Sequence, residues 1–331
     1  MPEATAAAHA SSLVAMSATA QSVLTAFWFA GDRESASNVQ IAASQFDRVL
    51  QQWTPARFVV NRHALGAQLG FGVRRLGNPV AWLDAQDRMH LFVVATGWGG
   101  WAASRIVHLR QSSASNQLDA LAFEPVRLLP LSWLWNTSFL VRNAPLPLRG
   151  GGMLLPVHFE LGVKYPVALR FDRDGVFSGM VRMSGRLDAL QPSVIMRSET
   201  EWLAFLRSQR PNGKVGVAHT LDGGAHWNDL PDLTLDNPDA AIAALGVGGD
   251  LIVMAHNPST QSRTQLDLSV SVDAVQWQTL AVVERGTEGD EFSYPSLVVV
   301  DGELWVSYTQ NRKCIAWHRW TASPAASKVT P

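Results

Sequence analysis

Cysteine is almost absent from this chain of 331 residues, since Cys314 is the only one. A single cysteine excludes an internal disulfide and a zinc site built from several thiolates. Nucleic acid is not expected as a partner, because only 17% of the residues are charged and the net charge is -1. No stretch reaches the ~18 consecutive apolar residues of a membrane helix, so no membrane-spanning segment is expected.

The start of the chain also lacks the features of a secretory signal. After Met1, Pro2 and Glu3 it continues with small residues, and it has neither a basic segment nor an apolar one. With one cysteine, disulfide chemistry assigns no compartment. The sequence therefore leaves the compartment open: periplasmic or secreted if an upstream signal or anchor was removed, and cytoplasmic otherwise.

Short apolar segments make up most of the chain, and Gly, Asp, Asn and Pro separate them. Almost none keeps a 3.6-residue period, which predicts an all-β fold. Segments 57–60, 89–96 and 202–208 are good examples. The segments form six groups, whose first strands are expected to begin at Ser11, Pro79, Thr137, Gln191, Ala240 and Tyr294.

The spacings between these starts are 68, 58, 54, 49 and 54 residues. Such intervals predict a single six-bladed β-propeller over residues 1–331. A two-sheet sandwich is the rival interpretation, although it gives no reason for a repeated turn. The last group lacks one strand, so we expect N-terminal and C-terminal strands to close the ring. Residues 321–331 are expected to be a loose tail.

One turn sequence recurs at the expected hairpin tips. In residues 220–227, Asp222 can accept hydrogen bonds from backbone amides two residues on, and Gly223 and Gly224 tolerate positive φ. Weaker copies stand at 271–277 and 170–177. These turns mark blades and are not expected to take part in catalysis.

The candidate binding residues lie on loops that enter the first strand or leave the second strand of a blade. By analogy with other propellers, such loops meet near the axis. They carry Asp32, Arg33, Glu34, Trp98, His158, Glu160, Lys164, Arg207, Asn257, Arg263 and Arg312. Converging guanidiniums would suit an acidic sugar. The alternative is that each charge is simply solvated.

No metal or cofactor is expected, because no His and carboxylate spacing matches a metal motif. His158 is therefore interpreted as a core or rim histidine. Tyr294 follows Glu291 closely, where the last group begins. Its phenol is either packed in the core or, with its proton withdrawn by a base, a nucleophile for an anomeric carbon.

These motifs resemble the sialidase (neuraminidase) superfamily, especially its bacterial BNR-repeat branch. Thr220, Asp222, Gly224 and Trp227 match the Asp box of that superfamily. Further similar segments are 9–14, 27–34, 76–80, 155–160, 291–295 and 306–312. The resemblance implies a six-bladed propeller and retaining hydrolysis that uses a Tyr nucleophile, an activating Glu, an Asp acid/base and three substrate-binding Arg.

The resemblance assigns the nucleophile to Tyr294 and, more loosely, the activating carboxylate to Glu160. Two positions depart from the family pattern: His9 stands where the first arginine is expected, and Asn38 where the acid/base Asp is expected. An amide cannot donate and recover a proton as a carboxylic acid does. Asp32 or Glu34 would have to replace it.

Two hypotheses follow. The first is a sialidase-like glycoside hydrolase that acts on an acidic sugar, with catalytic residues Tyr294, Glu160 and Asp32 or Glu34. Its substrate-binding residues are expected to be Arg33, Arg207, Arg263, Arg312, His158, Lys164, Asn257 and Trp98. The second is a carbohydrate-binding or polysaccharide-associated propeller that has lost hydrolysis. In both, the partner is an acidic glycan.

Overall fold

The protein's structure, a computed structural model that describes residues 1–34 and 36–321, consists of antiparallel strands in six sheets. In five of these sheets, strands that follow one another in the chain pair with one another. Sheet one contains β1 (Ala7–Ala15), β2 (Ser22–Gly31), β3 (Gln40–Asp47) and β4 (Arg57–Val60). Sheet two contains β5 (Arg75–Leu83), β6 (Met89–Thr96), β7 (Ser104–Gln111) and β8 (Phe123–Leu128).

The third sheet differs, because β9 (Phe139–Val141) and β10 (Leu146–Pro147) both pair with β11 (Met153–Leu161), followed by β12 (Val163–Phe171) and β13 (Phe177–Arg182). Sheet four contains β14 (Ala189–Met196), β15 (Trp202–Ser208), β16 (Gly216–Thr220) and β17 (Asn228–Leu230). Sheet five contains β18 (Ala243–Gly248), β19 (Leu251–His256), β20 (Gln265–Ser271) and β21 (Gln278–Arg285). Sheet six contains β22 (Phe292–Val300), β23 (Glu303–Gln310) and β24 (Cys314–Thr321).

Six apolar clusters join the sheets into a ring. Each cluster lies between two neighbouring sheets, as when Phe27 of sheet one packs with Leu91 of sheet two. Another cluster joins sheet six back to sheet one through Trp305 and Trp28. Each fully buried side chain of this size contributes roughly 1.5–3 kcal/mol. The first strands of neighbouring sheets contact one another around the axis, and the six-bladed β-propeller is confirmed.

Side-chain hydrogen bonds close the ring between the first and last sheets. The hydroxyls of Ser11 and Ser307 lie 2.9 Å apart. The sixth sheet contains three strands in the described ranges, and the Met1 ammonium donates to the Ile315 carbonyl of β24 at 2.8 Å. The amino terminus thus reaches the last sheet through a hydrogen bond. Apart from Thr321, the last residue of β24, the tail expected at 321–331 lies outside the described residues.

In the recurrent turns an aspartate accepts backbone hydrogen bonds as expected, but at Asp222 the donors lie three and four residues on rather than two. Asp222 Oδ1 accepts from the backbone N–H groups of Ala225 and His226, both at 2.9 Å. Turns of the same kind are built on Asp47, Asp172 and Asp273. All four join the third and fourth strands of a blade. They therefore lie on the face opposite the loops that leave the second strands.

A helix not predicted from the sequence, α1 (Arg62–Leu69), lies between the first and second sheets. Asn61 caps it by accepting from the backbone N–H groups of His63 and Ala64 at 2.8 and 3.3 Å. Gly70 ends it in a left-handed conformation, with φ 71°. Within the described ranges, no helix has the length and apolar character needed to cross a membrane.

Candidate functional site

The inner strand of most blades is interrupted at the same place in the repeat. The register shifts after His9, Gly77, Leu190 and Ser293. The residues that follow have positive φ: Ala10 (55°), Asn78 (41°), Gln191 (50°) and Tyr294 (56°). Asp239, with φ 52°, precedes β18 in the fifth blade. Non-glycine residues pay for this conformation in strain, and such bulges redirect side chains.

Tyr294 occupies this position in the sixth blade and is half-buried. The centre of its ring lies 4.4 Å from that of His9, and the Arg142 guanidinium carbon lies 5.1 Å from the ring centre. The Arg207 guanidinium lies close enough to Tyr294 for the two side chains to interact electrostatically. Tyr294 is thus flanked by one imidazole and two guanidiniums.

His9 is a neutral neighbour of Tyr294. Its side chain is buried, and neither ring nitrogen has a hydrogen-bond partner among the described residues. Burial, followed by the positive charge of Arg312, lowers its pKa to about 3. At neutral pH the position where the resemblance expects an arginine therefore carries no charge.

Arg142 is a site residue that the sequence reasoning missed. It follows β9, where the interval 142–145 before β10 takes the place of the bulge found in other blades. It is buried and donates to the carbonyls of Ser11 at 3.3 Å and Pro295 at 2.9 Å. Burial lowers its pKa to about 10, so it remains charged at neutral pH. Arg142 stands at the same place in its blade as the bulge residues of the other blades, and this position could have identified it from the sequence.

Arg312 and Arg263 share a carboxylate at the start of the last blade. Arg312 Nε lies 2.9 Å from Glu291, and Arg263 Nη1 lies 3.1 Å from it. Arg312 also pairs with Glu34. Burial alone would raise the pKa of Glu291, but hydrogen bonds from Arg312 and Ser293 lower it to about 2. Glu34, predicted from the sequence, therefore reaches the same ion-pair network as two predicted arginines.

Arg207 links the next part of the network to Tyr294. Its Nε donates to Asp239 at 2.7 Å, and its Nη1 donates to Gln191 at 2.9 Å. Although burial opposes it, the negative partners raise the Arg207 pKa. Gln191 and Asp239, both with positive φ, were not assigned to the site by the sequence reasoning. Arg207 thus joins residues of two neighbouring blades, Gln191 of the fourth and Asp239 of the fifth.

Glu160 lies beside this network. His158 Nε2 is 3.3 Å from one carboxylate oxygen of Glu160, and Lys164 Nζ is 3.5 Å from the other. Burial would raise the pKa of Glu160, but the His158 hydrogen bond and the charges of Lys164 and Arg207 lower it. The carboxylate is ionised at neutral pH. His158 itself is fully buried, as expected of a core histidine.

We call this group of side chains the axial cluster. It comprises His9, Glu34, Arg142, His158, Glu160, Lys164, Gln191, Arg207, Asp239, Arg263, Glu291, Tyr294 and Arg312. Its cations are mostly paired with its carboxylates. Asn257, another predicted site residue, is fully buried and donates to the Gln265 and Phe292 carbonyls, so its amide group supports the fold.

Three predicted residues, Asp32, Arg33 and Trp98, line a separate cleft between the first and second blades. Asn38 lines it too, and its side-chain oxygen accepts from the Asp32 backbone N–H at 3.3 Å. The structure therefore divides the predicted site residues between the axial cluster and this cleft. Asp32 lines the cleft, whereas Glu34, two residues further on, pairs with Arg312 of the axial cluster.

Comparison with protein families identifies the repeat. The model of the BNR repeat-like domain matches residues 22–306. The chain belongs to the BNR repeat-like family. No curated protein matches this family member.

Solved structures of sialidases share the fold. The Hadza microbial sialidase Hz136 superposes with a TM-score of 0.77 at 15% identity, covering 97% of this chain and 66% of that one. Trypanosoma rangeli sialidase gives 0.72 at 14% identity, covering 95% and 54%. A leech intramolecular trans-sialidase gives 0.71 at 10% identity, covering 96% and 68%. The BNR repeat-like chain thus spans about half to two thirds of these proteins and is sialidase-like in fold.

Proposed function

We propose that the protein is a glycoside hydrolase that cleaves an acidic, sialic-acid-like sugar bound at the axial cluster. The observation that carries this proposal is the setting of Tyr294, on a strained bulge with Arg207 nearby and the Arg142 guanidinium over its ring. A phenol held this way can act as a nucleophile, the role described for tyrosine in sialidases.

The substrate carboxylate would bind Arg207, Arg263 and Arg312. The carboxylates that pair with these arginines hold the guanidiniums in place. Each planar guanidinium can still donate hydrogen bonds to a further carboxylate through its remaining N–H groups. Lys164 and His158 stand beside Glu160 at the edge of this group. An acidic sugar therefore matches the cluster better than a neutral one.

The reaction would proceed in two steps. Tyr294 Oη attacks the anomeric carbon as Glu160 takes the phenol proton, and the bond to the leaving oxygen breaks while a carboxylic acid gives that oxygen a proton. Water then attacks the same carbon, the acid recovers a proton, and Tyr294 regains its own from Glu160. We assign the acid/base role to Glu34, which is joined to the cluster through Arg312; Asp32 is the alternative.

The test is Tyr294→Phe, assayed with a methylumbelliferyl sialoside. We expect turnover to fall by at least about 10³-fold, because the covalent step is lost, with the melting temperature unchanged. Tyr165→Phe is the matched control, since that ring stacks on Phe159 in the third blade. Full activity of Tyr294→Phe would overturn the proposal.

One observation favours a second function, binding without hydrolysis. At the expected acid/base position Asn38 supplies an amide that is engaged with the Asp32 backbone. If this second function holds, calorimetry should show that the wild type binds an acidic sugar. The activity assay should then detect no release of aglycone at any pH. A bell-shaped pH profile of turnover would exclude this alternative.

A further inference from the structure

The cleft between the first and second blades has no role in the proposed reaction. Its volume is about 1350 Å³, which exceeds the space needed for one sugar. Helix α1 forms one wall, the loop after β2 forms another, and the loop after β6 carries Trp98 at its edge. The insertion of α1 between two blades is what creates the cleft.

Four arginines line this cleft: Arg33, Arg62, Arg74 and Arg75. Within the described part of the chain none of them forms an ion pair, and Asp32 supplies the one carboxylate among the lining residues. Arg62 donates to the Val73 carbonyl at 3.2 Å, which fixes its direction. Four guanidiniums with a single carboxylate among them create a positive field that attracts an anionic ligand.

Trp98 adds a flat apolar surface to the cleft. Its side chain is 79% exposed, and the Arg74 guanidinium covers one face at 3.0 Å from the ring centre. The loop after β2 also links the cleft to the axis, because Arg33 lines the cleft while Glu34 pairs with Arg312. A ligand that occupies both regions would lie along this loop.

We propose that this cleft binds a polyanionic glycan, a chain whose consecutive sugars carry carboxylate or sulfate groups. The arginines pair with the anionic groups and Trp98 packs against a sugar ring. Nucleic acid fits the molecule less well, because the net charge is -1 and the positive side chains gather in one cleft, whereas single strands are held along an extended basic groove. The proposal does not depend on hydrolysis at Tyr294.

Calorimetry on the whole chain tests this, with oligogalacturonate as the carboxylated probe, a heparin oligosaccharide as the sulfated probe, and neutral dextran as the blank. We expect the charged probes to bind and the affinity to fall as salt is raised. In the double variant Arg74→Gln/Arg75→Gln, Kd should rise by at least about tenfold, since two guanidinium contacts are lost. The preferred probe distinguishes carboxylate from sulfate.

The control is Arg127→Gln/Arg285→Gln, which removes the same charge from exposed positions on the outer strands β8 and β21. Its Kd should change less than about twofold. Equal losses in the two double variants, no binding of either charged glycan, or equally tight binding of a short oligothymidylate would overturn the proposal. Tyr294→Phe should bind the probes as the wild type does. Binding at the cleft and hydrolysis at Tyr294 are therefore measured independently, and either proposal can fail without the other.

Discussion

The axial cluster and the cleft are both rich in arginine, but the arginines of the axial cluster have protein partners for their charge and those of the cleft do not form ion pairs with the described residues. At the axis, Arg207, Arg263 and Arg312 each pair with a carboxylate, and the most buried cation, Arg142, is held by backbone carbonyls. In the cleft, the four arginines face solvent-filled space without ion pairs in the described ranges. The two regions are joined by one loop.

Burial explains the difference for Arg142 and Arg207, although Arg312 is paired while exposed. A cation taken out of water needs partners, since an unpaired buried charge costs several kcal/mol, whereas an exposed one is stabilised by solvent. The axial arginines are thus fixed in direction and suited to orienting a substrate. The cleft arginines are suited to attracting one, because uncompensated exposed charge acts over a Debye length.

The largest expected effect comes from the most buried arginine. Arg142→Met should destabilise the fold by about 3 kcal/mol, because two buried carbonyls lose their donor. Arg33→Gln in the cleft should change stability by less than about 0.5 kcal/mol. Urea unfolding of both variants checks the contrast, and similar losses in the two would show that the regions do not differ in this respect.

The sequence predicts the strands and turns of the fold better than it predicts the axial cluster and the cleft. Strands β4, β6 and β15 have the predicted bounds, because each is an apolar segment enclosed by turn residues. The recurring turns built on Asp172, Asp222 and Asp273 were also found from the sequence. Both signals are local, and tertiary packing reinforces them.

The axial cluster was predicted only in part. Arg207, Arg263 and Arg312 were identified from their phase in the repeat, but Arg142 and Gln191 were missed. Their roles depend on bulges and on contacts between blades that no local pattern specifies. The cleft was missed as a separate region because α1 has weak helical signals, and a short polar helix is stabilised by its tertiary setting.

The second prediction uses pH to test the pairing at the axis. The folded-state pKa of Glu291 is lowered to about 2, so its ionised form stabilises the fold fully above the unfolded value near 4.5. This contribution is lost as the pH falls through 2. Glu291→Gln should therefore cost about 1–2 kcal/mol at pH 7 after allowance for solvent screening, and nothing near pH 2.

Urea unfolding of wild type and Glu291→Gln between pH 2 and 7 measures this difference. Glu288→Gln, at an exposed position on the same segment, is the control and should show no such dependence. A stability difference that stays constant across this range would mean that Arg263 and Arg312 do not hold the Glu291 carboxylate in solution.

The smallest expected effect lies in the cleft, where Arg74 rests on Trp98. A double-mutant cycle of Arg74→Gln and Trp98→Ala should give a coupling free energy of about 0.5–1 kcal/mol, the size of a cation–π contact at an exposed site. Urea unfolding of the four proteins measures it. Since neither residue is buried, each single variant should stay close to the wild type. A coupling free energy as large as the stability lost in Arg142→Met would contradict this comparison. It would mean that the cleft arginines are fixed in position as firmly as the arginines of the axial cluster.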